Sequence, residues 1–286
     1  MISGTTKIYG VIGQPISHTG SPAMHNAAFK AAGLDAKYVA FEVAPEQLGD
    51  AVRGMRALGI MGLNVTVPHK RAVMPLLDEI KGDALRLGVV NVIMREPDGR
   101  LTGHNTDAAG FLKSMEEAGV RLDGKRVLMF GAGGAAPAVL LALQRGGAAA
   151  LRIFNRTTEK ADTLAESFSA TGFEVAATDF SDTEIDTLYK ESTIILNVTS
   201  LGMRQNELPP VAVEKIGSRH TVVDIIYNPW ESALLSEARR RGAVTANGYG
   251  MLLHQAAEAF ALWTGGAAPI EAMRRAGIEF VQGRAG

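Results

Sequence analysis

The chain has 286 residues, 47% hydrophobic and 21% charged, which gives room for one large or two ordinary domains and excludes a disordered chain. A formal net charge of −1 excludes bulk attraction to nucleic acid or anionic membrane, and the absence of cysteine excludes disulfides, thiolate metal sites and cysteine nucleophiles. The N-terminal MISGTTKIYGVIGQ lacks a basic region followed by an apolar core, and no apolar run has the length of a membrane span, so a cytoplasmic enzyme or binding protein is expected.

In chain order, KIYGVIG (7–13) reads as a short buried strand and SPAMHNAAFKAAGL (21–34) as a helix ended by Gly33. AKYVAFEV (36–43) is a second strand, PEQLGDAVRGMRALG (45–59) a second helix, and IMGLNVTV (60–67) a third strand. Helical segments are expected after Pro68. VVNVIMR, the turn EPDGR and LTGHNT together read as a hairpin.

From Ala108 the helix AAGFLKSMEEAG leads into a second alternating run. Its candidate strands are KRVLMF, LRIFN, FEVAA, STIILNVT, HTVVDIIY and GAVTAN. The last forty residues read as two helices, GMLLHQAAEAFALWTG and PIEAMRRAGIEFV. Strands alternating with helices imply parallel sheets covered on both faces, and two such runs imply two α/β domains with a boundary near Asp107.

Gly131-Ala132-Gly133-Gly134-Ala135-Ala136 fits G-x-G-x-x-A between an apolar strand and an apolar helix. Gly131 suits the tight turn, Gly133 lets the backbone approach a pyrophosphate, and Ala136 is small enough for close helix–strand packing. The helix start then offers free N–H groups to phosphates, although Pro137 removes one of them. An acid that binds a ribose 2′-hydroxyl is expected at the end of the next strand, but Asn155, Arg156 and Thr157 stand there. A guanidinium instead forms charge-assisted bonds to a 2′-phosphate and stacks on adenine, and Lys160 adds a second positive charge one turn on. This pattern points to NADP rather than NAD. The plain alternative makes Arg156 and Lys160 solvated residues of a helix start.

Two polar clusters remain in the first third, GQPISHTGSPAMHN (13–26) and NVTVPHK (64–70). Together with GHNTDAAGF (103–111), the glycine turn, NRT, YNP and GYGMLLHQAA, they closely resemble the shikimate/quinate dehydrogenase family over nearly the whole chain. The resemblance implies NADPH-dependent, reversible reduction of 3-dehydroshikimate to shikimate in aromatic amino-acid (chorismate) biosynthesis. It also implies an N-terminal substrate domain with a mainly parallel sheet, a Rossmann-type NADP domain, and an active site in the cleft between them. Residues 1–107 and 248–286 would form the substrate domain, with the C-terminal helices returning to it, and residues 108–247 the NADP domain.

Reducing a ring ketone requires a proton donor at the carbonyl oxygen. Lys70, in the first turn after Pro68, is placed for that role, at a helix start that disfavours its charge. Asp107 is the matching carboxylate in the family's pattern; by itself NTDAAG also suits a helix N-cap. Which of the two carries the proton is open. The same pattern assigns Thr19, Ser21 and Tyr227 to the substrate carboxylate, and Asn64, Thr66, Asn91 and Gln255 to ring hydroxyls. It assigns Gly131, Ala132, Gly133, Gly134, Ala135, Asn155, Arg156, Thr157, Lys160, Ile225 and Gly248 to the cofactor.

The chain departs from the family at several positions. Thr19 stands where serine is usual, which bears on shikimate against quinate; Val92 and Ser232 stand where threonine is common, and Pro137 replaces a frequent arginine. The six histidines, at 18, 25, 69, 104, 220 and 254, show no metal-binding spacing, so no metal is expected. Methylenetetrahydrofolate dehydrogenase is a second enzyme reading, disfavoured by the paired SHTGSP and NTD motifs. A sensor that binds NADP and a shikimate-like ligand without turnover is a reading of another class, disfavoured by intact Lys70 and Asp107. The exposed face of the N-terminal sheet is compatible with a homodimer or with no assembly at all.

Overall fold

A computed structural model describes residues 2–169, 172–178, 184–204 and 206–283. The chain divides into two compact units, one of residues up to Gly110 together with those from Leu253 onward, the other Phe111–Leu252. Among the described residues, no helix is long and apolar enough to cross a membrane.

The first unit opens with β1 (Lys7–Gly13), α1 (Ser21–Ala31), β2 (Ala36–Glu42), α2 (Leu48–Ala57) and β3 (Gly62–Val65), all within the segments expected. There follow β4 (Glu79–Ile80), α3 (Asp83–Leu87), β5 (Val92–Arg95) and β6 (Leu101–His104). The sheet order is β2-β1-β3-β5-β6-β4, and only β5 runs against its neighbours. The β5–β6 hairpin is closed by a bond from Glu96 N to Arg100 O of 2.8 Å, with Gly99 at φ +86° in the turn.

The helical segments expected after Pro68 are short: a 3-10 turn at Met74–Leu76 and α3, while the residues directly after Pro68 form only single turns. Val73 N donates to His69 O and Leu76 N to Val73 O, each at 3.0 Å, and no α-helix begins there. Pro75 lacks the N–H that a continuing helix would use. The chain extends instead into β4, a two-residue strand too short to carry a readable period.

One face of this sheet packs Ile12, Leu63, Val65, Ile93 and Leu101 against Val52 and Met55 of α2. A second cluster, of rings, joins Tyr9 and Tyr38 to Phe29, Phe260 and Trp263. The last two rings come from α9 (Tyr249–Thr264), and α10 (Ile270–Gln282) packs on α1. Gly62 lets the indole lie on the sheet: a Cβ there would be 2.3 Å from Trp263 Nε1, which donates to Ile93 O at 3.1 Å.

The chain enters the second unit along α4 (Asp107–Glu117). It continues as β7 (Arg126–Phe130), α5 (Ala136–Arg145), β8 (Ala150–Phe154), α6 (Thr158–Ser169), β9 (Glu174–Thr178), α7 (Ile185–Glu191), β10 (Ile194–Asn197), β11 (Thr221–Asp224), α8 (Ala233–Arg240) and β12 (Val244–Ala246). The sheet is parallel throughout, in the order β12-β11-β10-β7-β8-β9. Strand order therefore reverses between β7 and β10, the crevice where open α/β sheets bind ligands. Ala136 to Leu143 of α5 are buried without interruption, as a helix laid on such a sheet must be.

β10 and β11 stop earlier than their apolar runs. Asn197 and Asp224 at the strand ends accept bonds from the backbone N–H groups of Thr199 and Ile226, and these local bonds compete with the ladder.

Candidate active site

β1 and β3 are parallel neighbours, with Ile12 opposite Val65, so the two polar clusters leave the same edge side by side. Thr66 N donates to Ile12 O at 3.0 Å and Gln14 N to Val67 O at 3.0 Å. Gly13 permits this approach, because a Cβ there would lie 2.4 Å from the Thr66 methyl. Beyond it, Thr19 Oγ1 donates to Ser21 Oγ at 3.2 Å and accepts from Ser21 N at 3.3 Å. Thr19 is half-buried and Ser21 buried.

Lys70 and Asp107 are brought together. Lys70 Nζ donates to Asp107 Oδ2 at 2.6 Å, with side-chain exposures of 16% and 7%. Asp107 Oδ1 accepts from Asn91 Nδ2 at 2.8 Å. Asp107 is the first residue of α4, yet these bonds turn its carboxylate to Lys70 and Asn91 rather than into an N-cap role. No α-helix starts at Lys70, so the helix-start argument about its charge does not apply.

Asn91 is fully engaged as a donor, with Nδ2 giving its second bond to Thr106 Oγ1 at 3.0 Å, while Oδ1 accepts from Thr106 N at 2.8 Å. One lone pair of Oδ1 is left. The Asn91 backbone is held in the sheet by Val65 N, and its carbonyl also accepts from Asn64 Nδ2 at 3.3 Å.

Sequence reasoning missed Tyr38. Its hydroxyl donates to Asn64 Oδ1 at 2.7 Å from a position only 1% exposed, and its backbone is held at both ends by Asn26. Burial pushes the phenol pKa well up, partly offset by the Ser21 hydroxyl that faces it. Alternation in AKYVAFEV was enough to bury this ring but could not name its partner. Thr19, Ser21, Tyr38, Asn64, Asn91, Asp107 and Lys70 thus form one polar path through the first unit. Gln255 belongs to the same unit: Gly110, one turn after Asp107, lets α9 close in, because a Cβ there would lie 2.6 Å from Gln255 N.

The remaining predicted residues lie in the second unit. Gly131 has φ +111°, and a Cβ on it would lie 2.8 Å from the Thr199 methyl. Gly133 and Gly134 face open space, and Ala136 is completely buried against the sheet. Asn155 ties the turn to β8 by accepting from Ala132 N at 3.1 Å and donating to Thr157 O at 2.8 Å. Arg156, Thr157 and Lys160 are exposed, and neither cationic side chain has a partner among the described residues. Gly248 is the tightest glycine: a Cβ would be 1.9 Å from Ile225 O, and its N–H donates to Ile226 O at 2.9 Å. Tyr227 follows, half-buried, with its pKa raised by burial.

These features fit NADP. Bare glycine backbone opens at the start of α5, the end of β8 carries no acid, and two cations without partners among the described residues follow it.

Comparison with known proteins agrees. Residues 11–93 match the shikimate dehydrogenase substrate binding domain, 113–226 the shikimate/quinate 5-dehydrogenase model, and 248–276 the shikimate 5′-dehydrogenase C-terminal domain. The chain is 46% identical to the shikimate dehydrogenase (NADP(+)) of Geobacillus kaustophilus over 275 residues, covering 96% of this chain and 98% of the relative. A crystal structure of a shikimate dehydrogenase in complex with NADP+ superposes with a TM-score of 0.90 at 42% identity, covering 98% of both chains. Quinate dehydrogenase from Corynebacterium glutamicum in complex with NAD gives 0.88 at 34% identity, covering 96% of this chain and 99% of that one.

Proposed function

The chain belongs to the shikimate dehydrogenase family, and from that premise we propose how its residues carry the reaction. It is an NADP-dependent oxidoreductase acting on a CH–OH group, interconverting 3-dehydroshikimate and shikimate in aromatic amino-acid biosynthesis. Bound NADPH supplies the hydride. The protein's task is to orient the ring, hold its hydroxyls and exchange one proton at the carbonyl oxygen.

In our reading, residues 1–107 and 248–286 form the substrate-binding part and 108–247 the cofactor-binding part, with Tyr227 of the latter also serving substrate and Gly248, at the boundary, serving the cofactor. The Lys70–Asp107 pair exchanges the proton: Lys70 Nζ gives it up in the reductive direction, and Asp107 stabilises the ammonium between turnovers. Asn91 fixes the carboxylate, so that the lysine has one place to point. Asn64 keeps one amide N–H and one lone pair for a ring hydroxyl, and Asn91 one lone pair. Thr66 and Gln255 complete the hydroxyl contacts, while Thr19, Ser21 and Tyr227 receive the carboxylate. The backbone from Gly131 to Ala135, with Asn155, Arg156, Thr157, Lys160, Ile225 and Gly248, receives NADP. We place the reaction in the cytoplasm, and light scattering decides between the homodimer and the monomer that the sequence leaves open.

The observation that carries this reading is the 2.6 Å contact between Lys70 and Asp107, locked from the other side by Asn91. Its test is a set of initial rates with shikimate and quinate, each with NADP+ and NAD+. Shikimate with NADP+ far above the other three combinations is the expected result. A preference for quinate would indict Thr19, a preference for NAD+ would indict Arg156, and no turnover with any pair would revive the sensor reading.

A further inference from the structure

The second unit holds a polar cluster that the reaction scheme leaves unused. Asp224 ends β11 with no exposed surface, and among the described residues its carboxylate meets only uncharged donors. Oδ1 accepts from Asn197 Nδ2 at 2.9 Å and from Ile226 N at 3.1 Å, and Oδ2 from the Ser232 hydroxyl at 2.6 Å. Asn197 is equally buried and turns its own Oδ1 to Thr199, whose methyl seats against Gly131. Gly202 covers the other side, where a Cβ would lie 3.7 Å from Asp224 Oδ2.

A buried carboxylate without a counter-cation is expensive, and an apolar side chain would serve stability better. What this one does is join the two ends of a loop. Asp224 and Ser232 close residues 225–231, an arc that carries Ile225 and Tyr227 and rises to Trp230, which is 38% exposed. The arc is fastened again where Asn247 Nδ2 donates to Trp230 O at 2.9 Å, and where Gly248 N donates to Ile226 O. Through Asn197 and Thr199 the same carboxylate touches the support of the glycine turn.

We propose that the Asp224–Ser232 hydrogen bond is a clasp that sets the position of Tyr227 toward substrate and of Ile225 toward cofactor, making both Asp224 and Ser232 positioning residues of the reaction. The proposal rests on the assignment of Tyr227 and Ile225 given above. Threonine at 232 would keep the hydroxyl and therefore the clasp; alanine and glycine would not. Ser232 also caps α8, through Leu235 N at 3.4 Å, so a cap effect must be separated from a clasp effect. Glycine does this, because it is an acceptable N-cap residue while alanine is not.

The experiment is steady-state kinetics and thermal melting of Ser232→Gly, Ser232→Ala, Ser232→Thr, Tyr227→Phe and the Ser232→Gly/Tyr227→Phe pair. Ser232→Gly should raise KM for shikimate about tenfold with kcat changed less than about threefold, as expected for binding lost equally in ground and transition states. Ser232→Thr should restore the wild-type KM. The double variant should match Tyr227→Phe alone, since the clasp acts through that ring. Wild-type KM in Ser232→Gly with only a lower melting temperature would reduce Ser232 to a helix cap and overturn the proposal, as would additive effects in the pair. Unchanged KM in Tyr227→Phe would instead overturn the substrate role of Tyr227, and the clasp's stated purpose with it.

Discussion

Replacing Lys70 by alanine tests the proposed chemistry most directly. The substitution removes one partner of a 2.6 Å ion pair whose side chains are 16% and 7% exposed. Breaking a buried pair from one side costs about 3–5 kcal/mol of stability when the survivor is left bare. Here Asp107 Oδ1 keeps its bond from Asn91 Nδ2 at 2.8 Å, and the vacated space opens toward solvent on the lysine side. We therefore place the folding cost lower, at about 2 kcal/mol. The kinetic cost is larger: losing a positioned proton donor lowers rate by about 10²–10⁴, or about 3–5 kcal/mol of transition-state stabilisation. Every proposed NADP contact lies in the second unit, so the dissociation constant for NADP+ should stay within about twofold of wild type. The assay is kcat/KM for shikimate oxidation, with fluorescence titration of NADP+ and a thermal melt on the same preparations. A variant that retains kcat/KM within tenfold would refute the role of Lys70. A fall in rate that comes with lost NADP+ affinity would attribute the effect to folding.

Three further outcomes follow from the geometry. Tyr38→Phe leaves Asn64 Oδ1 without its buried donor, at a cost of about 1–3 kcal/mol, and should raise KM for shikimate while sparing KM for NADP+; an unchanged melt and KM would deny the link from Tyr38 to Asn64. Arg156→Glu should raise KM for NADP+ by about 10–100-fold and leave KM for NAD+ much closer to wild type, and an unaltered NADP+/NAD+ ratio would remove Arg156 from the 2′-phosphate site. His25 is completely buried, neither ring nitrogen has a partner among the described residues, and burial lowers its pKa from 6.5 to about 3. Its folded pKa lies below its unfolded one, so the unfolded chain binds the extra proton and stability falls as pH drops below about 6.5, by about 2 kcal/mol at pH 5. His25→Leu should flatten that part of the stability–pH curve; equal slopes in denaturant titrations of the two proteins would show that His25 is charged or solvated in the folded state.

Much of the architecture was legible because it is written in local periods. Alternation and apolar runs located β1, β2, β3 and the six strands of the second unit, and EPDGR marked the hairpin. G-x-G-x-x-A announced a strand-to-helix turn whose Gly131 indeed has a positive φ of +111°. The helical character after Pro68 was legible too, but not its extent: Pro75 keeps the first piece to one 3-10 turn at Met74–Leu76, and the α-helix proper waits until Asp83–Leu87.

The site divides in the same way. Residue type and order alone brought Lys70, Asp107 and the cofactor turn to notice, since motifs record which groups a chemistry requires. Tertiary structure decided who holds them. Asn91 pairs with Asp107 because β5 and β6 run antiparallel with Val92 opposite His104, and it meets Asn64 because β5 docks antiparallel on β3, placing Asn64 opposite Val92. Tyr38 reaches Asn64 because β2 and β3 flank β1, and Ser232 reaches Asp224 because a loop closes on itself. These partners lie 26, 27 and 8 residues apart in the chain, or 16 for Asn91 and Asp107. A hydrogen bond requires its atoms within about 3 Å, a condition that strand register and loop closure set and that no local pattern of residues encodes.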